Sequence, residues 1–251
     1  MSGHSHWATI KRRKGAADAK RGKAFSKCAR ALMLAARRGT DPTMNLALRY
    51  ALDEARAVNM PKDSIERAVK KGAGELEGVQ IQEVTYEGYG PGGVAILVDA
   101  LTDNRNRTSS EIVKVFERHG GRMGPPNCVA YMFSKKGVIT ITDFKDEERL
   151  MDVALGAGAD DLSEMDEGFE VIVPPESFEA VKSALADAKI PAARSEILQR
   201  PQNFVTLSES DARRVLALME SLEDHDDVQK VHSNFDIPVE VLEKIGMRDE
   251  G

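Results

Sequence analysis

No apolar run in the chain approaches the roughly 18 residues that a membrane-spanning helix requires, which excludes a transmembrane reading of its 251 residues. The opening residues, Met1 to Trp7, have no apolar core behind them, so they do not form a secretory signal. Cysteine is scarce: Cys28 and Cys128 are the only two, far apart and in no C-x-x-C pair, and a reduced, cytoplasmic setting follows. Catalytic signatures are missing as well. There is no Walker A loop, no G-x-G-x-x-G opening a helix, no H-E-x-x-H and no spaced carboxylate pair. No catalytic residue, cofactor or metal is therefore expected, and the chain reads as a non-enzyme.

What is present is an uneven charge. The formal net charge is -6, yet residues 1–80 hold 17 of the 35 Lys and Arg and only 8 of the 41 Asp and Glu. A basic head on an acidic body points to a polyanionic partner for the head. The density peaks between Lys11 and Arg38, where 11 basic residues face a single acid, Asp18. Solvated helix faces normally mix signs; a one-sign face suits phosphate, because each neutralised phosphate releases condensed counterions. An acidic protein partner is the competing use.

The periodicity predicts three amphipathic helices at the N-terminus. Residues 16–38 bury Phe25, Cys28, Ala29, Leu32 and Ala36 on one face and set Lys20, Lys23, Lys27, Arg30, Arg37 and Arg38 opposite. A second helix follows Asp41-Pro42, read as an N-cap and first-turn proline, and a third runs from Pro61 to Lys71. After the linker 72–78 the pattern changes to strands. Val94-Ala95-Ile96-Leu97-Val98 is apolar on both alternating faces and belongs at the centre of a sheet. A glycine-rich turn, Tyr86 to Gly93, enters it; a polar loop with Arg105 and Arg107 leaves it; and Thr108 with Glu111 forms a capping box that opens a helix.

Further strands are expected at 128–133, 138–142, 159–164, 169–173, 192–199, 203–207 and 228–233, with helices at 146–156, 176–187 and 209–222 and a loose tail from Asn234. The segment 138–199 alone reads β-α-β-β-α-β, and so does the remainder from 94 to 233 once it is removed. The expected fold is mixed α/β (α+β): an N-terminal three-helix bundle and two ferredoxin-like lobes, one inserted into the other. The boundaries are 1–78 for arm and bundle, 79–134 with 201–240 for the central domain, 135–200 for the insert and 241–251 for a tail.

The candidate nucleic-acid contacts are Trp7, Lys11, Arg12, Arg13 and Lys14 on the arm; Lys20, Arg21, Lys23, Lys27 and Arg30 on the first helix; and Arg105 and Arg107. Trp7 can stack on an unpaired base, and arginine forks match phosphate geometry. For Arg105 and Arg107 the competing expectation is pairing with Asp99, Asp103 or Glu111 to hold the loop. His4 and His6 could suggest a metal site: if Met1 is removed, Ser2-Gly3-His4 offers a square-planar set suited to Cu(II) or Ni(II), but any chain with histidine third has that property. Glu223-Asp224-His225-Asp226-Asp227 reads as a solvated turn between a helix and a strand, because consecutive carboxylates point different ways.

Several motifs resemble the YebC family of probable transcriptional regulatory proteins, which includes the mitochondrial translational activator of cytochrome oxidase. They are Gly3–Trp7 with Ile10-Lys11, Asp18–Lys23 with Phe25, Asn59–Asp63, Ile65–Ala68, Gly74–Gly78, Tyr86–Gly93, Leu101–Thr108 and Asp226–Gln229 with Val231 and Asn234-Phe235. The resemblance implies a cytoplasmic, non-enzymatic protein of three domains that binds DNA and regulates transcription. It equally implies the alternative of a ribosome-associated translation factor that contacts rRNA and relieves stalling at proline-rich stretches. A metal-dependent nuclease is a distant third reading. The sequence departs from the family pattern at Gly124-Pro125-Pro126-Asn127-Cys128.

Overall fold

The computed structural model of the protein describes residues 17–165 and 168–247. The N-terminal helices form as their stripes dictate: α1 (Ala17–Ala36), α2 (Leu46–Ala57) and α3 (Lys62–Gly72). Leu32, Ala36, Leu48, Ala55 and Ala68 close a common core. Helix α2 starts later than expected. The Asp41 side chain accepts from the Thr43 N–H at 2.8 Å and forms a local turn instead of a cap. Asn45 caps the helix by accepting from Leu48 N at 3.1 Å, while its amide donates to Ala35 O and Gly39 O.

Helix α3 lies unusually close to α1 at one end. A Cβ on Gly72 would overlap the Met33 carbonyl and sit 2.9 Å from Ala36 Cβ. Only glycine permits that approach.

The central sheet contains β1 (Gln82–Tyr89), β2 (Ala95–Thr102), β3 (Arg122–Met123) and β9 (Val228–Ser233), in spatial order β3-β1-β2-β9 and antiparallel throughout. Its helices are α4 (Arg105–Arg118) and α7 (Glu209–Glu223), which contribute Ile112, Phe116, Val215, Leu218 and Leu222 to the core. As its two-sided apolar pattern requires, β2 is interior.

The four positions of a ferredoxin-like sheet are all filled here, but one is filled from an unexpected place. Residues 86–89, the first part of the expected glycine-rich turn, belong to strand β1, which takes the position assigned to 203–207. Residues 128–133 are not a strand either; β3 is shorter and earlier. Pro125 and Pro126 have no N–H to pair, and Ala130–Met132 is a 3-10 turn.

The insert matches its pattern: β4 (Phe133–Ile141), α5 (Glu147–Gly156), β5 (Asp161–Met165), β6 (Gly168–Val173), α6 (Phe178–Asp187) and β7 (Arg194–Pro201). The spatial order is β5-β6-β4-β7, all antiparallel. Ile139, Val171, Val173, Phe178 and Val181 are buried. At Gly137 the absence of a side chain lets the Phe178 ring lie on the strand.

Residues 234–247, expected within a loose tail, are structured: β10 (Phe235–Asp236) pairs in parallel with β8 (Val205–Thr206), and α8 covers Val239–Met247. Asn234, Phe235 and Ile237 are buried. Two compact units result, one of residues 130–208 with 234 onward, the other joining the helical bundle to the central sheet. Among the described residues no helix is long and apolar enough to cross a membrane.

Candidate nucleic-acid interface

The basic stripe of α1 has a partner within its own unit. Lys27 Nζ donates to Glu223 O at 2.6 Å, and Lys23 Nζ donates to Asp224 O at 3.0 Å with Asp224 Oδ2 at 3.7 Å. Arg30 donates to Asp226 O and pairs with Asp227 Oδ1 at 3.2 Å. These oxygens lie at and just beyond the C-terminus of α7. The last carbonyls of a helix are without intrahelical donors and carry the negative end of its dipole, so cations are favoured there. The acidic turn expected to be solvated is therefore the seat of the basic stripe.

Asp227 is the fixed point of this contact. Its side chain is 3% exposed. Thr108 Oγ1 donates to it at 2.6 Å, Thr102 Oγ1 at 3.2 Å and Arg107 at 3.0 Å. Burial alone would raise the carboxyl pKa. The hydrogen bonds from Thr108 and Arg107 and the charge of Arg30 outweigh it and hold Asp227 below the ordinary carboxylate value. A buried anion with two guanidiniums and two hydroxyls on it is a satisfied ionic centre.

This arrangement also explains where α4 begins. Asn104 caps the helix, accepting from Arg107 N at 3.1 Å, and Thr108 is drawn inward to Asp227. The expected capping box at Thr108 is not used, and Arg105 and Arg107 stand in the first turn of a helix, not on a loop. Arg107 is engaged by Asp103 at 2.8 Å and by Asp227. Arg105 is exposed and makes no ion pair among the described residues.

Of the other expected contacts, Arg21 is exposed with its guanidinium 5.9 Å from the Phe25 ring centre. Trp7, Lys11, Arg12, Arg13 and Lys14 lie outside the described residues, and Lys20 is described only by its place in α1. The pattern thus separates Lys23, Lys27 and Arg30, which are engaged by oxygens at the end of α7, from Arg21 and Arg105, which make no ion pair among the described residues. Sequence reasoning missed Asp227 as an organiser because it sits among four other polar residues that look equivalent.

Glu111, His225 and Asp227 place ligand-type atoms within 4.8 Å of one another. Their lone pairs already have internal uses. The Asp227 N–H donates to His225 Nδ1 at 3.1 Å, which leaves Nε2 to donate to Glu111 Oε2 at 3.0 Å. Arg30 and Arg107 also occupy Asp227, and Arg107 is shared with Asp103.

The departure at 124–128 has a structural counterpart in Glu87. This carboxylate is buried on β1 and accepts from Asn127 N at 2.6 Å and Val129 N at 2.8 Å, while the Tyr89 hydroxyl donates to Cys128 O at 2.9 Å. The Pro-Pro-Asn-Cys turn is clamped to the sheet by its backbone, with Asn127 in a left-handed conformation (φ 66) that asparagine tolerates.

Comparison with known proteins gives a consistent result along the whole chain. Residues 5–75 match the family model described as the TACO1/YebC protein N-terminal domain, and residues 81–235 match the TACO1/YebC second and third domain. A probable transcriptional regulatory protein of Geobacter sulfurreducens is 52% identical over 246 residues, covering 98% of this chain and 100% of that one. One from Dictyoglomus turgidum is 50% identical over 248 residues, with the same coverage. The crystal structure of a conserved hypothetical protein from Aquifex aeolicus superimposes with a TM-score of 0.80 at 46% identity, covering 90% of this chain and 94% of that one. The bundle, the central sheet carrying the Asp227 centre and the inserted lobe are the parts of one family architecture, and this chain belongs to the TACO1/YebC family.

Proposed function

We propose that the protein is a nucleic-acid-binding regulator of gene expression, a transcriptional regulator that holds DNA through its basic N-terminal domain. The observation that carries this reading is the charge division: 17 of 35 basic residues but 8 of 41 acidic ones lie in residues 1–80. The relatives named as probable transcriptional regulatory proteins support it. Phosphate is the ligand such a head suits, and the acidic remainder keeps the body away from the polyanion.

One observation favours a second reading, association with the ribosome through rRNA. A transcription factor that reads sequence aims side chains at base edges. Here Lys23, Lys27, Arg30 and Arg107 are engaged with carboxylates or carbonyls and Arg105 is exposed in the first turn of a helix, which suits backbone contact and carries little base information. The test is a binding selection from random DNA at about 150 mM salt, run beside co-sedimentation with ribosomes. A motif preferred at least about a thousandfold over random DNA, with empty ribosome pellets, supports the DNA reading. Weak, sequence-independent DNA binding with ribosome co-sedimentation overturns it in favour of the second.

A further inference from the structure

The proposed function leaves open which cations of the folded head meet the polyanion, and the stripe that looks best in the sequence is occupied. Lys23, Lys27 and Arg30 face Glu223, Asp224, Asp226 and Asp227. A different set makes no ion pair among the described residues. Arg37 and Arg38 follow directly on α1, their N–H groups closing its last turn onto Leu34 O and Ala35 O. Lys70 and Lys71 occupy the last turn of α3. The glycine contact joins the two ends: Gly72 presses on Met33 and Ala36, so the C-termini of both helices emerge at the same end of the bundle.

All four residues are exposed, and none makes an ion pair among the described residues. The acids that follow, Glu75 and Glu77, are exposed and pair with none of them. Two helix dipoles account for some preference for cations here. They do not account for four like charges with no paired carboxylate among the described residues, an arrangement that repels itself until an anion arrives.

We propose that this end of the bundle, formed by Arg37, Arg38, Lys70 and Lys71, is the phosphodiester-backbone contact of the folded N-terminal domain, and that the Lys23–Lys27–Arg30 stripe is not. The inference rests on the nucleic-acid reading above and assigns its residues. The ligand chemistry is a phosphate-spaced polyanion. Duplex DNA and RNA both supply it, and they differ in the salt dependence they produce.

The experiment uses the full chain, arm included. Binding to a short DNA duplex and to an RNA single strand is measured by fluorescence anisotropy between about 50 and 200 mM salt. The variant R37Q/R38Q/K70Q/K71Q is compared with K23Q/K27Q and with the unaltered protein. Removing the end cluster lowers the log–log salt slope by about 0.9 for each duplex phosphate that is no longer neutralised, up to about 3.6, or by about 0.7 each on single strands. The slope that remains belongs to the arm. The K23Q/K27Q variant keeps the full slope.

A thermal melt of each variant separates binding from folding: a purely structural cluster shifts the melt and leaves the slope unchanged. An unchanged slope for the end-cluster variant, with the unaltered protein binding normally, overturns this assignment and leaves the nucleic-acid reading standing. An unaltered protein that binds neither DNA nor RNA at the lowest salt overturns that reading and the assignment with it.

Discussion

Helix α1 carries two groups of cations with opposite fates. Lys23, Lys27 and Arg30 form a regular stripe along its middle, and each finds an oxygen on or beyond the end of α7. Arg37 and Arg38 stand just past its C-terminus and find no anion among the described residues. The stripe is the more conspicuous in the sequence, because it repeats at helical spacing opposite an apolar face. The end pair is only two adjacent arginines. Charge density in a sequence counts cations; the fold decides which are consumed in holding it together. Helical regularity is what docking one element on another requires, so here it marks a structural interface.

The largest effect expected from breaking this contrast is at Asp227. Removing the carboxylate by Asp227→Ala takes the buried partner from Arg30 and Arg107; because those side chains are 22% and 44% exposed, the cost falls below the roughly 3–5 kcal/mol of a fully buried pair. Urea unfolding should show that destabilisation; a change under about 1 kcal/mol, the value of an exposed pair, would mean the stripe is not anchored there. Acid provides an independent measure. The folded-state pKa of Asp227 is lowered, so its contribution is fully present above the ordinary carboxylate value of 3.8 and is lost as pH falls through the folded value. Asp99 is lowered likewise: burial raises it, but hydrogen bonds from His232 and Thr85 prevail. The unaltered protein should therefore lose stability as pH falls below about 4, and the Asp227→Asn protein should lose less over the same range.

Some of this organisation was legible in the sequence and some was not, for identifiable reasons. Strand β2 was plain because residues apolar on both faces have one comfortable place, inside a sheet. The inserted lobe was plain because its six elements are contiguous and each carries its own period. Strand β1 was hidden by Glu87, Gly88 and Gly90, which read as a turn. Nothing local announces that the carboxylate is buried to receive the N–H groups of Asn127 and Val129, some 40 residues on. The cationic stripe was legible as charge, but its partners lie 196 and 201 residues further along the chain. No periodicity records such a pairing. The end cluster was illegible for a similar reason: it exists only because Gly72 allows α3 to meet α1.

That dependence makes Gly72→Ala the next test. The added methyl collides with the Met33 carbonyl and with Ala36 Cβ, both on α1. Overpacking of this kind costs about 1–3 kcal/mol when the backbone must shift. A melt should show the destabilisation, and anisotropy should show a shallower salt slope, because the displaced end of α3 carries Lys70 and Lys71 away from Arg37 and Arg38. Lys23 and Lys27 lie more than one turn from Met33 and should keep their partners. A destabilised protein with an unaltered slope would mean that the two helix ends need not be adjacent to act on the polyanion.

The smallest effect is expected from the stripe itself, and it discriminates most finely. Lys23 and Lys27 reach backbone carbonyls, so their hydrogen bonds survive any change of side chain at Glu223 or Asp224 and can be tested only from the lysine side. Interactions of a cation with a helix C-terminus are worth about 0.3–1 kcal/mol each. The Lys23 side chain is 42% exposed, and solvent screening reduces its pairing with Asp224 toward the low end of that range. Lys23→Gln with Lys27→Gln should thus lower stability by about 1 kcal/mol at low salt, with most of the difference gone at about 1 M, where the Debye length has shrunk to about 3 Å. Binding to nucleic acid should retain its full salt slope. If that slope fell as far as in the end-cluster variant, the carbonyls and carboxylates around Asp227 would be places that the stripe leaves when phosphate arrives, and the two groups of cations would differ in what they release, not in what they bind.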